Sequence, residues 1–221
     1  MNFIPMQGKF KQLVADSNAI FIDFDGVIKD SVELKATAFQ TLFSESSLKI
    51  SDLIENHHLE NGGMSRFEKI PLYLSWSGIN PSDENIIQYC IQFSNIVKKA
   101  VINSPWVPGI INFLESMSKT KRIFLLTATP KEEIDAIIKE LRIEHFFNKV
   151  YGSPTSKIES MRFVLKKFSI NPNEAIMIGD SYKDYEAAKL NNVTFALRRT
   201  NLNNKLQSQY SCLMFNNFND E

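Results

Sequence analysis

Apolar positions follow two different patterns along this chain. In the first, four or so consecutive apolar residues stop abruptly at polar or glycine residues. Ala19-Ile20-Phe21-Ile22 ends in Asp23-Phe24-Asp25-Gly26, and Ile123-Phe124-Leu125-Leu126 ends in Thr127-Ala128-Thr129-Pro130. Val150-Tyr151-Gly152 is a weaker run, Ala175-Ile176-Met177-Ile178 ends in Gly179-Asp180, and Thr194-Phe195-Ala196-Leu197 is the last. Runs of this length predict strands buried on both faces. Residues 131–141, 157–168 and 182–190 lie between them and carry helical periodicity. Alternating strand and helix predicts a parallel sheet with right-handed crossovers, an α/β Rossmann-like core.

Residues 31–103 show the second pattern. Helices are expected over 32–43, 66–76 and 83–101, and in the last Ile86, Cys90, Phe93, Val97 and Val101 form an amphipathic stripe. No strand-length run interrupts them. The simplest division is a core built from 1–30 and 104–221, with an inserted helical cap over 31–103. Trp106-Val107-Pro108-Gly109 punctuates the return to the core. The Asn-rich tail from Asn201 holds one apolar run, 212–215, readable as an edge strand.

Composition adds exclusions. The 221 residues are 43% hydrophobic and 23% charged, enough apolar mass for a core. Lys plus Arg equal Asp plus Glu at 25 each, so no global field steers the chain toward nucleic acid or an anionic membrane. Residues 1–17 lack the apolar stretch of a signal peptide, and no run is long enough to span a bilayer. Two distant cysteines, Cys90 and Cys212, without a CxxC spacing, fit a reduced cytoplasmic protein.

Ligands of parallel α/β sheets bind at the carboxyl ends of the strands. The residues ending the apolar runs therefore converge: Asp23, Asp25, Thr127, Asp180 and Asp184, with Lys157 at a helix start. Closely packed carboxylates repel unless a cation sits among them, and hard oxygen donors of this kind suit Mg²⁺, which also binds substrate phosphates. The rim reads as a site for metal plus phosphate.

These residues carry a resemblance. Ile22-Asp23-Phe24-Asp25-Gly26-Val27 followed by Asp30-Ser31 resembles the first motif of haloacid dehalogenase-like phosphatases. Leu126-Thr127-Ala128-Thr129 resembles the second, Lys157 the third, and Gly179-Asp180-Ser181-Tyr182-Lys183-Asp184 the fourth. The resemblance covers most of 19–200. It places the insertion where the phosphoglycolate phosphatase and β-phosphoglucomutase type carries its cap. It implies that Asp23 is a nucleophile forming an aspartyl-phosphate, and that Asp25 is the acid and then the base. Asp23, the Asp25 carbonyl and Asp180 would ligate Mg²⁺, with Asp184 orienting a metal-bound water. Thr127, with Ala128 beside it, and Lys157 would bind the phosphoryl group.

Rival readings accompany these roles. Asp23 and Asp25 also suit a strand-end turn, and Ser181-x-x-Asp184 reads as a capping box. A second box, Ser156-x-x-Glu159, places Lys157 in a first helical turn facing the rim. Thr129 before Pro130 reads as a helix N-cap, leaving Thr127 as the functional hydroxyl. Arg66, after a Gly62-Gly63 loop, is placed either to reach the substrate phosphate from the cap or to sit in solvent. His57 and His58 read as surface residues of that loop, and His145 as packing at the core edge.

The expected function is Mg²⁺-dependent hydrolysis of a small phosphorylated metabolite. The alternatives are a phosphomutase of the β-phosphoglucomutase type, a dehalogenase, and a non-catalytic binding module. A dehalogenase needs no leaving-group proton, so Asp25 argues against it. A degraded module would have lost one of these residues.

Overall fold

The computed structural model describes residues 6–219, so the outermost residues of the expected core segments, 1–5 and 220–221, lie outside it. Six parallel strands form one sheet in the order β3-β2-β1-β4-β5-β6: β1 (Ala19–Ile22), β2 (Arg122–Pro130), β3 (Lys149–Ser153), β4 (Ala175–Gly179), β5 (Thr194–Arg198) and β6 (Leu213–Phe215). All five expected strands and the edge strand are present, in an α/β Rossmann-like architecture.

Strand periodicity explains why uninterrupted apolar runs suit this sheet. Successive side chains point to opposite faces. Ile20, Ile22, Ile123, Leu125, Ile176 and Ile178 pack into one apolar layer, while Phe21, Phe124, Leu126, Met177 and Leu197 pack into the other. The first layer is completed by α1 (Met6–Asp16), α6 (Ile110–Met117) and α7 (Lys131–Glu140); the second by α8 (Lys157–Lys167) and α9 (Tyr182–Leu190). A short α10 (Asn204–Gln209) precedes β6.

Four helices stand between β1 and β2: α2 (Val32–Leu42), α3 (Leu48–Glu60), α4 (Arg66–Trp76) and α5 (Asp83–Asn103). Their apolar sides meet around Phe39, whose ring lies 3.9 Å from that of Phe93 and 5.1 Å from that of Tyr73. The stripe on α5 behaves as its spacing requires, with Cys90, Phe93, Val97 and Val101 buried. α4 opens with the Ser65–Glu68 capping box and tolerates Pro71 within its second turn. α1, α3, α6 and α10 have no counterpart in the sequence-based expectations.

Candidate active site

β1 is the central strand at the rim, flanked by β2 and β4 in register: Ile22 lies beside Leu125 and Ile178. One residue further, the Asp23 N–H donates to the Ile178 carbonyl (3.0 Å), so Asp23 leaves the strand next to the end of β4. The chain then turns at Gly26, where φ is +72°. A Cβ there would lie 1.9 Å from Oδ2 of Asp180, so only glycine accepts both this backbone and the carboxylate packed on it.

Asp23, Asp180 and Asp184 meet with carboxylate oxygens within 4.8 Å of one another. Lys157 sits among them, its ammonium 2.7 Å from Asp23 and 2.6 Å from Asp184. The lysine is set by a capping box as the sequence pattern requires, since Ser156 and Glu159 bond each other's backbone at the start of α8. Asp184 caps α9 as well: its Oδ2 accepts from the Ser181 N–H (3.1 Å) and hydroxyl (2.6 Å), while its Oδ1 accepts from Lys157. Capping and membership of the cluster therefore coexist in one side chain.

The cluster is electrostatically strained. Burial, followed by repulsion from Asp184, pushes Asp23 up to about 7 against the pull of Lys157. Asp180 stands well above its ordinary value through burial and the charges of Asp23 and Asp184. Burial alone would depress Lys157, but the two neighbouring carboxylates outweigh it and its pKa is raised. One ammonium does not neutralise three carboxylates. Their residual repulsion and all-oxygen donor set fit a hard divalent cation such as Mg²⁺.

Asp25 faces the other way, toward the inserted helices. It accepts from the Ser31 hydroxyl (2.6 Å) and the Thr129 hydroxyl (3.2 Å) and is ion-paired with Lys35 of α2. Burial would raise its pKa; the Lys35 ammonium and these hydrogen bonds win and hold it below its ordinary value. Thr129 is thus part of the site and not the expected N-cap. β2 runs on through Pro130, which holds the cap position of α7, and the Thr129 hydroxyl is bound to Asp25 and Lys35 (2.9 Å). Thr127 accepts from the Thr129 N–H (3.1 Å). Thr127, Ala128 and Lys157 together line a cleft of about 310 Å³ between the 63–68 and 153–158 segments.

The inserted helices close over this rim. A Cβ on Gly63 would lie 2.4 Å from the Ser181 hydroxyl, so the Gly62-Gly63 turn rests directly on the start of α9. Arg66 is not a solvated helix end. It is 5% exposed, bonded to Glu133 of α7 (2.5 and 2.8 Å) and to Ser94 (2.5 Å), with its guanidinium over the Phe93 ring. His57 and His58 are corrected too: they belong to the last turn of α3, His58 is 4% exposed, and His57 Nδ1 lies 3.0 Å from the Tyr73 hydroxyl. His145 is exposed, its ring resting against Phe146. Lys35, His58 and Lys69 escaped sequence reasoning. A volume of about 830 Å³ between α1 and α6 contains none of the rim residues, so cavity size does not mark the site.

The family model for haloacid dehalogenase-like hydrolases matches residues 20–197, from β1 to β5, spanning every residue of the cluster. The chain belongs to this family. Within it, the chain is 25% identical over 190 residues to a phosphoglycolate phosphatase of Pseudomonas savastanoi pv. phaseolicola, covering 81% of this chain and 69% of that protein. It is 27% identical over 182 residues to the pyrophosphatase PpaX of Bacillus velezensis, covering 77% and 78%. A β-phosphoglucomutase structure from Clostridium difficile shares the haloacid dehalogenase-like fold with a TM-score of 0.72 at 21% identity, over 92% of each chain. No helix among the described residues is long and apolar enough to cross a membrane.

Proposed function

We propose that the chain is a Mg²⁺-dependent phosphatase of a small phosphorylated metabolite, working through an aspartyl-phosphate on Asp23. The observation that carries this reading is the Lys157 ammonium shared by Asp23 and Asp184, with Asp180 alongside, at the ends of adjacent parallel strands. Asp23 attacks phosphorus through a carboxylate oxygen, and the ester oxygen leaves with a proton from Asp25. Water then attacks the same phosphorus, Asp25 takes its proton, and phosphate departs as the Asp23 carboxylate is restored. Lys157 neutralises charge on Asp23 and the phosphoryl oxygens, while Thr127 and the Ala128 backbone bind those oxygens from the facing strand. Asp23, Asp180, Asp184 and the Asp25 carbonyl are the donors suited to hold Mg²⁺, which would supply charge stabilisation at the phosphoryl group.

Residues 31–103 act as a cap domain over a core made, among the described residues, of 6–30 and 104–219. The cap explains why the substrate is small, since its segments rest on α9 and leave only clefts around the rim. The names of the relatives favour hydrolysis over phosphomutase activity. Cys90 and Cys212 are both free thiols, which fits action in the reducing cytoplasm.

Asp23→Asn keeps shape and removes the attacking charge. Release of phosphate from p-nitrophenyl phosphate in Mg²⁺ should fall by roughly a thousandfold or more. Retention of more than a few per cent of activity would overturn the covalent mechanism.

A further inference from the structure

The small chamber closed over Asp25 by the inserted helices holds more cationic charge than its own carboxylates answer. Lys35, Arg66 and Lys69 all line it, and they are 9%, 5% and 1% exposed. Asp25 answers Lys35 and Glu133 answers Arg66. Among the described residues no carboxylate forms an ion pair with Lys69. Its Nζ lies 3.0 Å from Nδ1 of His58, and that ring is itself buried. Burial, then the charges of Lys69 and Lys35, hold His58 well below its ordinary pKa, so it accepts the hydrogen bond as a neutral ring. Burial and the Lys35 ammonium also push Lys69 down to about 7, against the weaker pull of the Asp25 and Glu68 carboxylates.

A desolvated ammonium beside a second ammonium and a neutral imidazole destabilises the fold, and an apolar residue of similar length would be tolerated better. Lysine at this position makes sense when a ligand supplies the missing negative charge. The chamber is small: about 30 Å³ is open between Lys35, Lys69, Asp25 and the Ala128-Thr129 segment, where about 10–15 Å³ suffices for a water, so the group it takes is compact. It adjoins the residue proposed to protonate the leaving oxygen, so the part of a substrate beyond the scissile ester points into it.

We propose that Lys69, oriented by His58 and flanked by Lys35, is the subsite for a second, compact anionic group on the substrate. The substrate class is then a phosphate monoester that carries a carboxylate or a second phosphate within a few bonds of the ester oxygen. This inference rests on the phosphatase reading given above. It adds a specificity-determining residue and a required charge on the leaving group.

Three matched esters test the proposal: 2-phosphoglycolate, ethylene glycol bisphosphate and the neutral-tailed ethyl phosphate. With Mg²⁺, the wild-type chain should favour at least one anionic-tailed ester over ethyl phosphate by roughly tenfold or more in kcat/KM. The two anionic esters distinguish a carboxylate from a phosphate. Lys69→Met should shrink that preference to within about threefold, and Lys69→Arg should restore part of it. The melting temperature of Lys69→Met should hold or rise, because a buried charge has gone; a merely structural lysine predicts the opposite pairing, lower stability with unchanged preference. If Lys69→Met does not fold, Lys69→Gln takes its place.

Calorimetric titration of the same esters into the Asp23→Asn chain reads binding without turnover. Tighter binding of an anionic-tailed ester there supports the subsite even if no ester is hydrolysed, a result that would sink the phosphatase reading alone. Equal binding and equal kcat/KM for all three esters, or equal losses for all three in Lys69→Met, overturns the subsite and leaves the phosphatase reading standing.

Discussion

Asp25 stands between opposing influences. Its carboxylate is held in the ionised form because Lys35, Ser31 and Thr129 all stabilise the charge. In the proposed mechanism that state suits the base that activates water, whereas the first step needs the acid. Asp25→Asn should therefore penalise poor leaving groups far more than good ones, since an alkoxide needs a proton and p-nitrophenolate departs without much help. The ratio of p-nitrophenyl phosphate to ethyl phosphate turnover should rise by an order of magnitude or more in the variant. An unchanged ratio removes Asp25 from the acid role. At this scale the sequence was informative about placement wherever a polar residue follows an apolar run: the strand pattern alone put Asp23, Asp25, Thr127 and Asp180 on one rim. Lys35, His58 and Lys69 carry no such marker. Each is one polar residue on a helix of mixed composition, and only packing three helices over the rim reveals that they face inward. Thr129 was misjudged for a related reason, because Thr-Pro is a local N-cap signal that the longer β2 overrides.

A buried ion pair helps to join the inserted helices to the core. Arg66 and Glu133 have side chains 4% and 8% exposed, and they link α4 to α7. Removing one member strands the other without a partner, which costs about 3–5 kcal/mol when the site stays dry. The inserted helices have a way out, since lifting off the core lets Glu133 hydrate, so the observed loss is set by whichever is cheaper. Arg66→Ala should lower the melting temperature by several degrees, and the Arg66→Met, Glu133→Leu double variant should recover most of that. A double variant no more stable than Arg66→Ala would show that the pair does not hold the joint. Arg66→Ala should also slow p-nitrophenyl phosphate and ethyl phosphate turnover by similar factors, in contrast to Asp25→Asn, because the leaving oxygen is not its contact. Element-level legibility followed signal strength. α5, with five apolar residues at helical spacing over 86–101, was readable almost to its ends. α3 was not: its apolar positions are interrupted by Lys49, Ser51, Asp52 and Glu55, and the Gly62-Gly63 pair made its last turn look like loop. α6 is only eight residues long and follows Gly109 closely, too short for periodicity to register.

Across the whole molecule, formal charge is balanced, yet the rim gathers three carboxylates around a single ammonium. That local excess ties stability to pH and metal together. Asp23 is raised from 3.8 to about 7 and Asp180 stands well above its ordinary value. In metal-free protein the folded state therefore holds protons that the unfolded chain has already released. The stability these groups contribute is fully present below about pH 4 and is lost as pH rises through about 7. Mg²⁺ bound as proposed would compete with those same protons and favour the folded arrangement, so its stabilisation should grow over the same window. Without metal, the melting temperature should fall between about pH 5 and pH 8; with excess Mg²⁺ the fall should be reduced, and the Mg²⁺-induced shift should be several degrees larger at pH 8 than at pH 5. Lys69 acts in the opposite sense, because a base depressed to about 7 is relieved of its buried charge as pH rises through that value. Running the series in Lys69→Met removes that contribution and should steepen the metal-free fall. Asp180→Asn should abolish most of the Mg²⁺-dependent difference. A Mg²⁺ shift of equal size at both pH values, or one that survives intact in Asp180→Asn, would mean that the three carboxylates are not where the cation binds.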